Sequence, residues 1–216
     1  MTRGARARTA ILISGRGSNM AALIDAAQDP AYPAAIALVI SNRPTAPGLE
    51  LARQAGVEAQ VIDHRRFQGD RAAHEAAIDT ALREAGIEIV CLAGYMRLFS
   101  PYLISRWQGR MLNIHPSLLP AFPGLHSHEQ ALAAGVKLHG CTVHLVMQTM
   151  DEGPILAQAA VPVLAGDTAD ILAARVLEQE HRIYPAALRC FAADIAGPSP
   201  PAGAALLNPL ASRLHT

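Results

Sequence analysis

Thr9-Ala10-Ile11-Leu12-Ile13-Ser14-Gly15-Arg16-Gly17-Ser18-Asn19-Met20 is the stretch on which the architecture turns. Thr9 to Ser14 is a short, mostly apolar run that reads as a strand, and Gly15 to Gly17 turns the chain. Ser18 or Asn19 can then cap a helix running to about Ala27. A strand that passes through a glycine turn straight into a helix opens a βα unit, and such units build parallel sheets with helices on their faces. The loop itself aims successive backbone N–H groups and the positive end of a helix dipole at one point, an anion site whose obvious ligand is a phosphate. A dinucleotide fingerprint would need a third Gly at position 20 and an acidic residue about 20 residues on. Met20 stands at the first place, and the second strand ends in Ser41-Asn42. These departures argue against a nicotinamide cofactor and for a phosphomonoester.

Working outward, short apolar runs keep alternating with helical patterns. Ala35 to Ser41 reads as a second strand, followed after Pro44 and Pro47 by a helix closing at Gly56, and Glu58 to Ile62 as a third strand. Asp70 can cap a helix in which Ile78 and Leu82 share a face and Gly86 supplies the stop. Ile87 to Ala93 is uniformly apolar, as a strand buried on both faces must be, and Met111 to Ile114 is the next strand. Residues 141 to 147 and Ile155 to Val163 are close enough in sequence for an antiparallel excursion. A last helix over about Thr168 to Cys190 carries Leu172, Val176 and Ile183 on its apolar stripe, and Pro185 should break or kink it. The fold class expected is α/β, a doubly wound, mostly parallel sheet with helices on both faces. Residues 1–8 read as a flexible leader, 9–195 as one domain, and 196–216 as a Pro/Ala-rich tail.

Composition narrows the function classes. Lys plus Arg and Asp plus Glu number 18 each, so no global field draws the chain to nucleic acid or an acidic membrane. No apolar run approaches the roughly 18 to 20 residues of a membrane helix, and the basic start is followed by too short an apolar segment for a signal peptide. Cys91, Cys141 and Cys190 lack the spacing of a zinc site or a disulfide framework and read as buried thiols of a reducing compartment. The expectation is a cytoplasmic protein acting on small molecules.

The chemistry concentrates in Asn113-Ile114-His115-Pro116-Ser117-Leu118-Leu119-Pro120. On a strand, Asn113 and His115 point to one face while Leu112 and Ile114 point into the core. Pro116 lacks the N–H that would continue a central ladder. An amide donor beside an imidazole at a strand end suits acyl chemistry, one group holding charge on oxygen and the other holding charge or moving a proton. Asp151, in the turn Asp151-Glu152-Gly153-Pro154, can reach the same carboxyl ends of the strands. Arg97, flanked by Met96, Leu98 and Phe99, combines charge with apolar surface in the way a flat heteroaromatic ring requires. His126 and His128 suggest a metal site with Glu180 or His181, but no spacing supports a particular metal. His64, His74, His139, His144 and His215 read as surface or core histidines.

The octet resembles the signature of the folate-dependent formyltransferases. Ser14-Gly15-Arg16-Gly17-Ser18-Asn19, Ala93-Gly94-Tyr95-Met96-Arg97, Pro123-Gly124-Leu125-His126-Ser127-His128 and Met150-Asp151-Glu152-Gly153-Pro154 stand around it in that family's order, from about Ile11 to Tyr184. The resemblance implies a Rossmann-like formyltransferase fold, 10-formyltetrahydrofolate as co-substrate, no metal, and transfer of the formyl group to the amine of a glycinamide ribonucleotide. It assigns Asn113, His115 and Asp151 to catalysis, with Asp151 paired to His115. It assigns Gly17, Ser18 and Asn19 to the substrate phosphate, with His126, His128 and Glu180 near the rest of the ribonucleotide. Met96, Arg97, Leu98, Phe99 and Asn113 would meet the folate, and Arg71 its carboxylate-bearing tail. Monomer and homodimer are both open. Within the family, the members acting on methionyl-tRNA typically carry Gly where Pro116 stands and add an RNA-binding domain. The deformylases typically have His there and a leading regulatory domain. Neither addition is expected here. A phosphate-sensing protein built on the glycine loop would leave Asn113, His115 and Asp151 without a shared purpose.

Overall fold

The computed structural model describes residues 6–196, of 195 and 196 the backbone alone. Residues 1–5 of the expected leader, and the expected tail apart from Ala196, lie outside the described residues. Seven strands form one sheet in the order β3-β2-β1-β4-β5-β6-β7. They are β1 (Ala7–Ile13), β2 (Ala34–Ser41), β3 (Glu58–Val61), β4 (Ile89–Leu92), β5 (Met111–His115), β6 (Leu138–Leu145) and β7 (Ile155–Pro162). The first five run parallel. β6 and β7 are antiparallel additions, the excursion expected from their short separation. β1 starts at Ala7, inside the expected leader, because Ala7 and Arg8 pair with Ala34 and Ala35 of β2.

Alternation along the strands divides the core into two layers. Ile11 and Ile13 of β1 join Cys91, Leu112 and Ile114 in a cluster covered by α1 (Ser18–Ala26), α2 (Gly48–Gln54), α5 (Ser127–Ala133) and α6 (Ala169–Ala196). Ala10 and Leu12 join Leu38, Ile40, Val90 and Met111 on the other face, under Ile78 and Leu82 of α3 (Arg71–Glu84) and Leu103 of α4 (Pro101–Arg106). The sheet is thus doubly wound, and β1 sits where the strand order reverses, the point at which open α/β sheets bind ligands.

α3 begins as expected, Asp70 accepting a hydrogen bond from the backbone N–H of Ala73 at 2.9 Å. α4, α5 and a 3-10 turn at His64–Phe67 are additions to the expected elements. Two expectations need correction. Pro185 does not break α6, which runs through it and beyond the expected end near Cys190 to Ala196. The backbone carbonyl of Pro185 accepts the Tyr32 hydroxyl at 2.6 Å, and the Tyr184 hydroxyl donates to the carbonyls of Leu92 and Leu112 at 3.1 and 3.2 Å. Tertiary anchoring of the proline and of the residue before it outweighs one missing helical hydrogen bond. Cys190 is exposed rather than buried, because it lies on the helix side opposite the buried pair Leu188 and Ala192. Among the described residues, no helix is long and apolar enough to cross a membrane.

Candidate active site

The end of β5 delivers the arrangement its alternation requires. Leu112 and Ile114 are buried in the first cluster, and Asn113 and His115 project from the opposite face. The antiparallel register sets Asn113 opposite His144 and His115 opposite Thr142, so β6 contributes two polar side chains to the same face. His115 is buried at 6% exposure, its Nε2 lying 3.1 Å from the Phe122 carbonyl oxygen and its Nδ1 3.5 Å from Asp151 Oδ2. Each ring nitrogen thus faces an oxygen acceptor, the Phe122 carbonyl on one side and the Asp151 carboxylate on the other.

Asp151 reaches this point from the loop between β6 and β7, 27 residues along the chain from Gly124, whose backbone N–H donates to Oδ2 at 2.8 Å. Its φ of 59° is in the left-handed region. Asp tolerates that conformation better than most residues, and here it turns the carboxylate inward.

His144, read from sequence as an ordinary core or surface histidine, belongs to the site. Its Nε2 lies 3.1 Å from Asn113 Nδ2 and 3.7 Å from Asp151 Oδ1, and its Nδ1 lies 3.0 Å from the Leu145 carbonyl oxygen. A carbonyl can only accept, so Nδ1 carries the proton and Nε2 accepts from Asn113. Burial holds this histidine below its usual range, outweighing the Leu145 carbonyl and Asp151, which favour the charged form. A neutral His144 therefore orients the Asn113 amide by one N–H and leaves the other free. The available signal was the alternation of Thr142 and His144 in the strand that pairs with Asn113 and His115, but pairing register is not written in spacing.

The turn after His115 is locked from below. Thr142 Oγ1 accepts from the Leu119 N–H at 3.0 Å and donates to the Ser117 carbonyl at 2.7 Å, while Gln158 Nε2 donates to the Leu119 carbonyl at 2.9 Å. The Leu119–Pro120 peptide bond is cis.

The glycine loop stands at the switch point, with one correction. Neither Ser18 nor Asn19 caps α1. Gly17 occupies the cap position at φ 77° without a side-chain cap, and Ser18 opens the helix. Gly17 must be glycine for two reasons: its positive φ, and the 3.0 Å that would separate a Cβ from both the Gly48 Cα and the Met20 Cε. Asn19 Nδ2 donates to Glu180 Oε2 at 2.6 Å, so α6 brings Glu180 to the loop. Glu180 is nearly buried, and burial raises its pKa against the opposing Asn19 bond. Asn19 Oδ1 is buried without a partner among the described residues.

The other expected site residues are placed less uniformly. His126 is exposed, with Nδ1 3.3 Å from Glu129 Oε1. His128 Nδ1 lies 3.2 Å from His139 Nε2. Burial is the main reason that the pKa of His128 is lowered and that of His139 is brought down to about 4. No hydrogen bond among the described residues joins His126 or His128 to Asn19 or Glu180. Met96 and Leu98 are 63% and 61% exposed, whereas Tyr95 and Phe99 stack at 5.1 Å. Arg71 opens α3, one turn before Glu75, whose carboxylate accepts from the backbone N–H of Ser100 at 2.7 Å. That bond ties the start of α3 to the segment carrying Met96 to Phe99. Among the described residues, no group of three His, Cys, Asp or Glu side chains is disposed to hold a metal ion.

This geometry can be set beside known proteins. The formyl transferase family matches residues 7–188. Phosphoribosylglycinamide formyltransferase of Escherichia coli (strain K12) is 46% identical over 182 residues, covering 84% of this chain and 85% of that protein. Trifunctional purine biosynthetic protein adenosine-3 of Bos taurus is 50% identical over 187 residues, 87% of this chain, but the chain spans only 18% of that protein's length. The crystal structure of phosphoribosylglycinamide formyltransferase from Brucella melitensis is 60% identical with a TM-score of 0.84, covering 87% of this chain and 96% of that one. With a match running over most of its length and the strand-end amide, imidazole and carboxylate in place, the chain belongs to the formyl transferase family.

Proposed function

We propose that this chain transfers the formyl group of 10-formyltetrahydrofolate to the amine of 5′-phosphoribosylglycinamide, a step of purine synthesis. The observation that carries the reading is the convergence of Asn113, His115 and Asp151 at the end of β5, with Asp151 Oδ2 3.5 Å from His115 Nδ1. The amine attacks the formyl carbon, and the carbonyl electron pair moves onto oxygen. The free N–H of Asn113 and a ring N–H of His115 hold that oxyanion, the imidazole exchanging its Phe122 carbonyl partner for it. Collapse re-forms the carbonyl and expels the folate nitrogen, which takes a proton equivalent to the one lost by the amine. Asp151 balances the charge on His115 and accepts protons through water. Nothing in this sequence requires a covalent enzyme intermediate or a metal.

In this reading the backbone at Gly17 with Ser18 and Asn19 binds the phosphate. Glu180 meets the ribonucleotide beside them, and the unpartnered Asn19 Oδ1 suits a hydroxyl donor. His126 and His128 act on the same substrate as it enters. Met96, Arg97, Leu98 and Phe99 form the folate surface with Asn113, and Arg71 faces the folate tail. The reaction takes place in the cytoplasm between small molecules, without nucleic acid or membrane, in one domain, opened by β1 at Ala7, that is a monomer or homodimer.

The test is to follow the formyl group by mass. Formyl-folate turnover should be slow alone, rise sharply with the amine nucleotide, and place the formyl group on that nucleotide. Rapid formate release indifferent to the nucleotide would replace transfer with hydrolysis.

A further inference from the structure

Ser41-Asn42 stands where a dinucleotide fold carries its acidic residue, and the proposed chemistry leaves it without a role. Asn42 is nevertheless buried at 2% exposure. Its Oδ1 accepts the Ser14 hydroxyl at 2.6 Å, and Ser14 Oγ in turn accepts the backbone N–H of Met96 at 2.8 Å. Ser14 is itself 3% exposed, and its own backbone N–H donates to the Gly94 carbonyl at 3.2 Å. The far side of Asn42 is fixed too: its carbonyl oxygen lies 2.9 Å from His64 Nδ1. A hydroxyl has one proton, so donating it to Asn42 leaves a lone pair of Ser14 Oγ facing Met96.

The segment from Tyr95 to Phe99 needs such a hold. Among its described residues, Met96 is the one whose backbone N–H has a hydrogen-bond partner, and that partner is Ser14 Oγ. At its far end, the Glu75 carboxylate accepts from both the N–H and the hydroxyl of Ser100. The exposed side chains of Met96 and Leu98 thus lie between two buried side-chain acceptors borrowed from other elements.

We propose that Ser14, oriented by Asn42, is a positioning residue that sets the backbone of the folate-facing segment 95–99 from the strand end that also opens the glycine loop. This rests on the folate role given above to Met96 through Phe99. Without the hydroxyl, the Met96 N–H loses its acceptor and the segment its inner anchor, while the Asn113–His115–Asp151 constellation keeps all of its own contacts.

Hydrogen exchange and steady-state kinetics on the full chain test this together. Ser14→Ala should speed exchange at the Met96 amide at least tenfold and leave the Ala93 amide, bonded to Leu12, unchanged. The KM for formyl-folate should rise about tenfold while kcat and the KM for the nucleotide stay within about twofold. Asn42→Ala should behave similarly, and Asn42→Asp, which retains an acceptor for the Ser14 hydroxyl, should recover most of the folate KM. Unchanged Met96 exchange in Ser14→Ala overturns the anchor. Both KM values rising together, or equal defects in Asn42→Asp and Asn42→Ala, overturn its positioning role. Absence of formyl transfer by the wild-type chain would overturn the functional reading, and the exchange result would still stand or fall separately.

Discussion

Asn113 and His115 owe their cooperation to strand alternation, and the chemistry of the site depends on how few groups do the work. Asn113→Ala and His115→Ala should each lower kcat by about 10² to 10³, the usual cost of one oxyanion donor, with smaller changes in substrate binding. Asp151→Asn should also lower turnover, since the amide cannot balance a charged ring. Near wild-type kcat in all three variants would eliminate the assignment. His144 yields a second prediction. His144→Leu removes the acceptor that orients the Asn113 amide, and kcat should fall about tenfold, roughly the weight of one neutral hydrogen bond in the transition state. An unchanged kcat would show that Asn113 is held without it. The pair Asn113 and His115 was legible from residue types two apart on a strand. His144 was not, because its relevance comes from sitting opposite Asn113 on a neighbouring strand.

At the scale of elements, the β1–α1 connection shows how far local sequence reaches. A strand, a glycine turn and a helix were all readable, yet the cap was misassigned, because Ser18 and Asn19 are equally good cap residues and Gly17 took the position through its left-handed backbone. The demand on Gly17 comes also from α2, whose Gly48 Cα lies only 3.0 Å from where a Cβ would stand. Gly17→Val should therefore weaken nucleotide binding at least tenfold while leaving a folate analogue nearly unaffected, as should Asn19→Ala to a smaller degree. Calorimetry showing the reverse selectivity would mean the loop serves the other ligand. α6 teaches a related lesson. Pro185 predicts a break or a kink on local grounds, but no break occurs, and the apolar stripe through Leu172, Val176, Ile183, Tyr184 and Leu188 stays buried across it.

Across the whole molecule, burial of histidines links stability to pH. His139 falls from 6.5 to about 4, and His74, His128, His144 and His181 shift in the same direction, each chiefly through burial. The unfolded chain takes up protons near pH 6.5 that the folded state resists until lower pH, so the stability these histidines support should fall as pH drops from about 6.5 toward 4. His139 alone contributes up to about 3 kcal/mol to that loss. Melting temperatures measured from pH 7.5 to 4.5 check it, and a flat profile would contradict the burial. The sequence by itself determined the βα order, the two faces of the sheet, the octet and the glycine loop, because these follow from periodicity of two or 3.6 residues and from the conformational demands of Gly and Pro over a few positions. The pairing of Asp151 with His115 was expected only through the resemblance, and the tertiary structure alone decided that Glu180 would meet Asn19, that His144 would meet Asn113, and that Asn42 and Met96 would both meet Ser14. Those contacts depend on strand order and register, which bring together residues far apart along the chain and have no periodic signature in it.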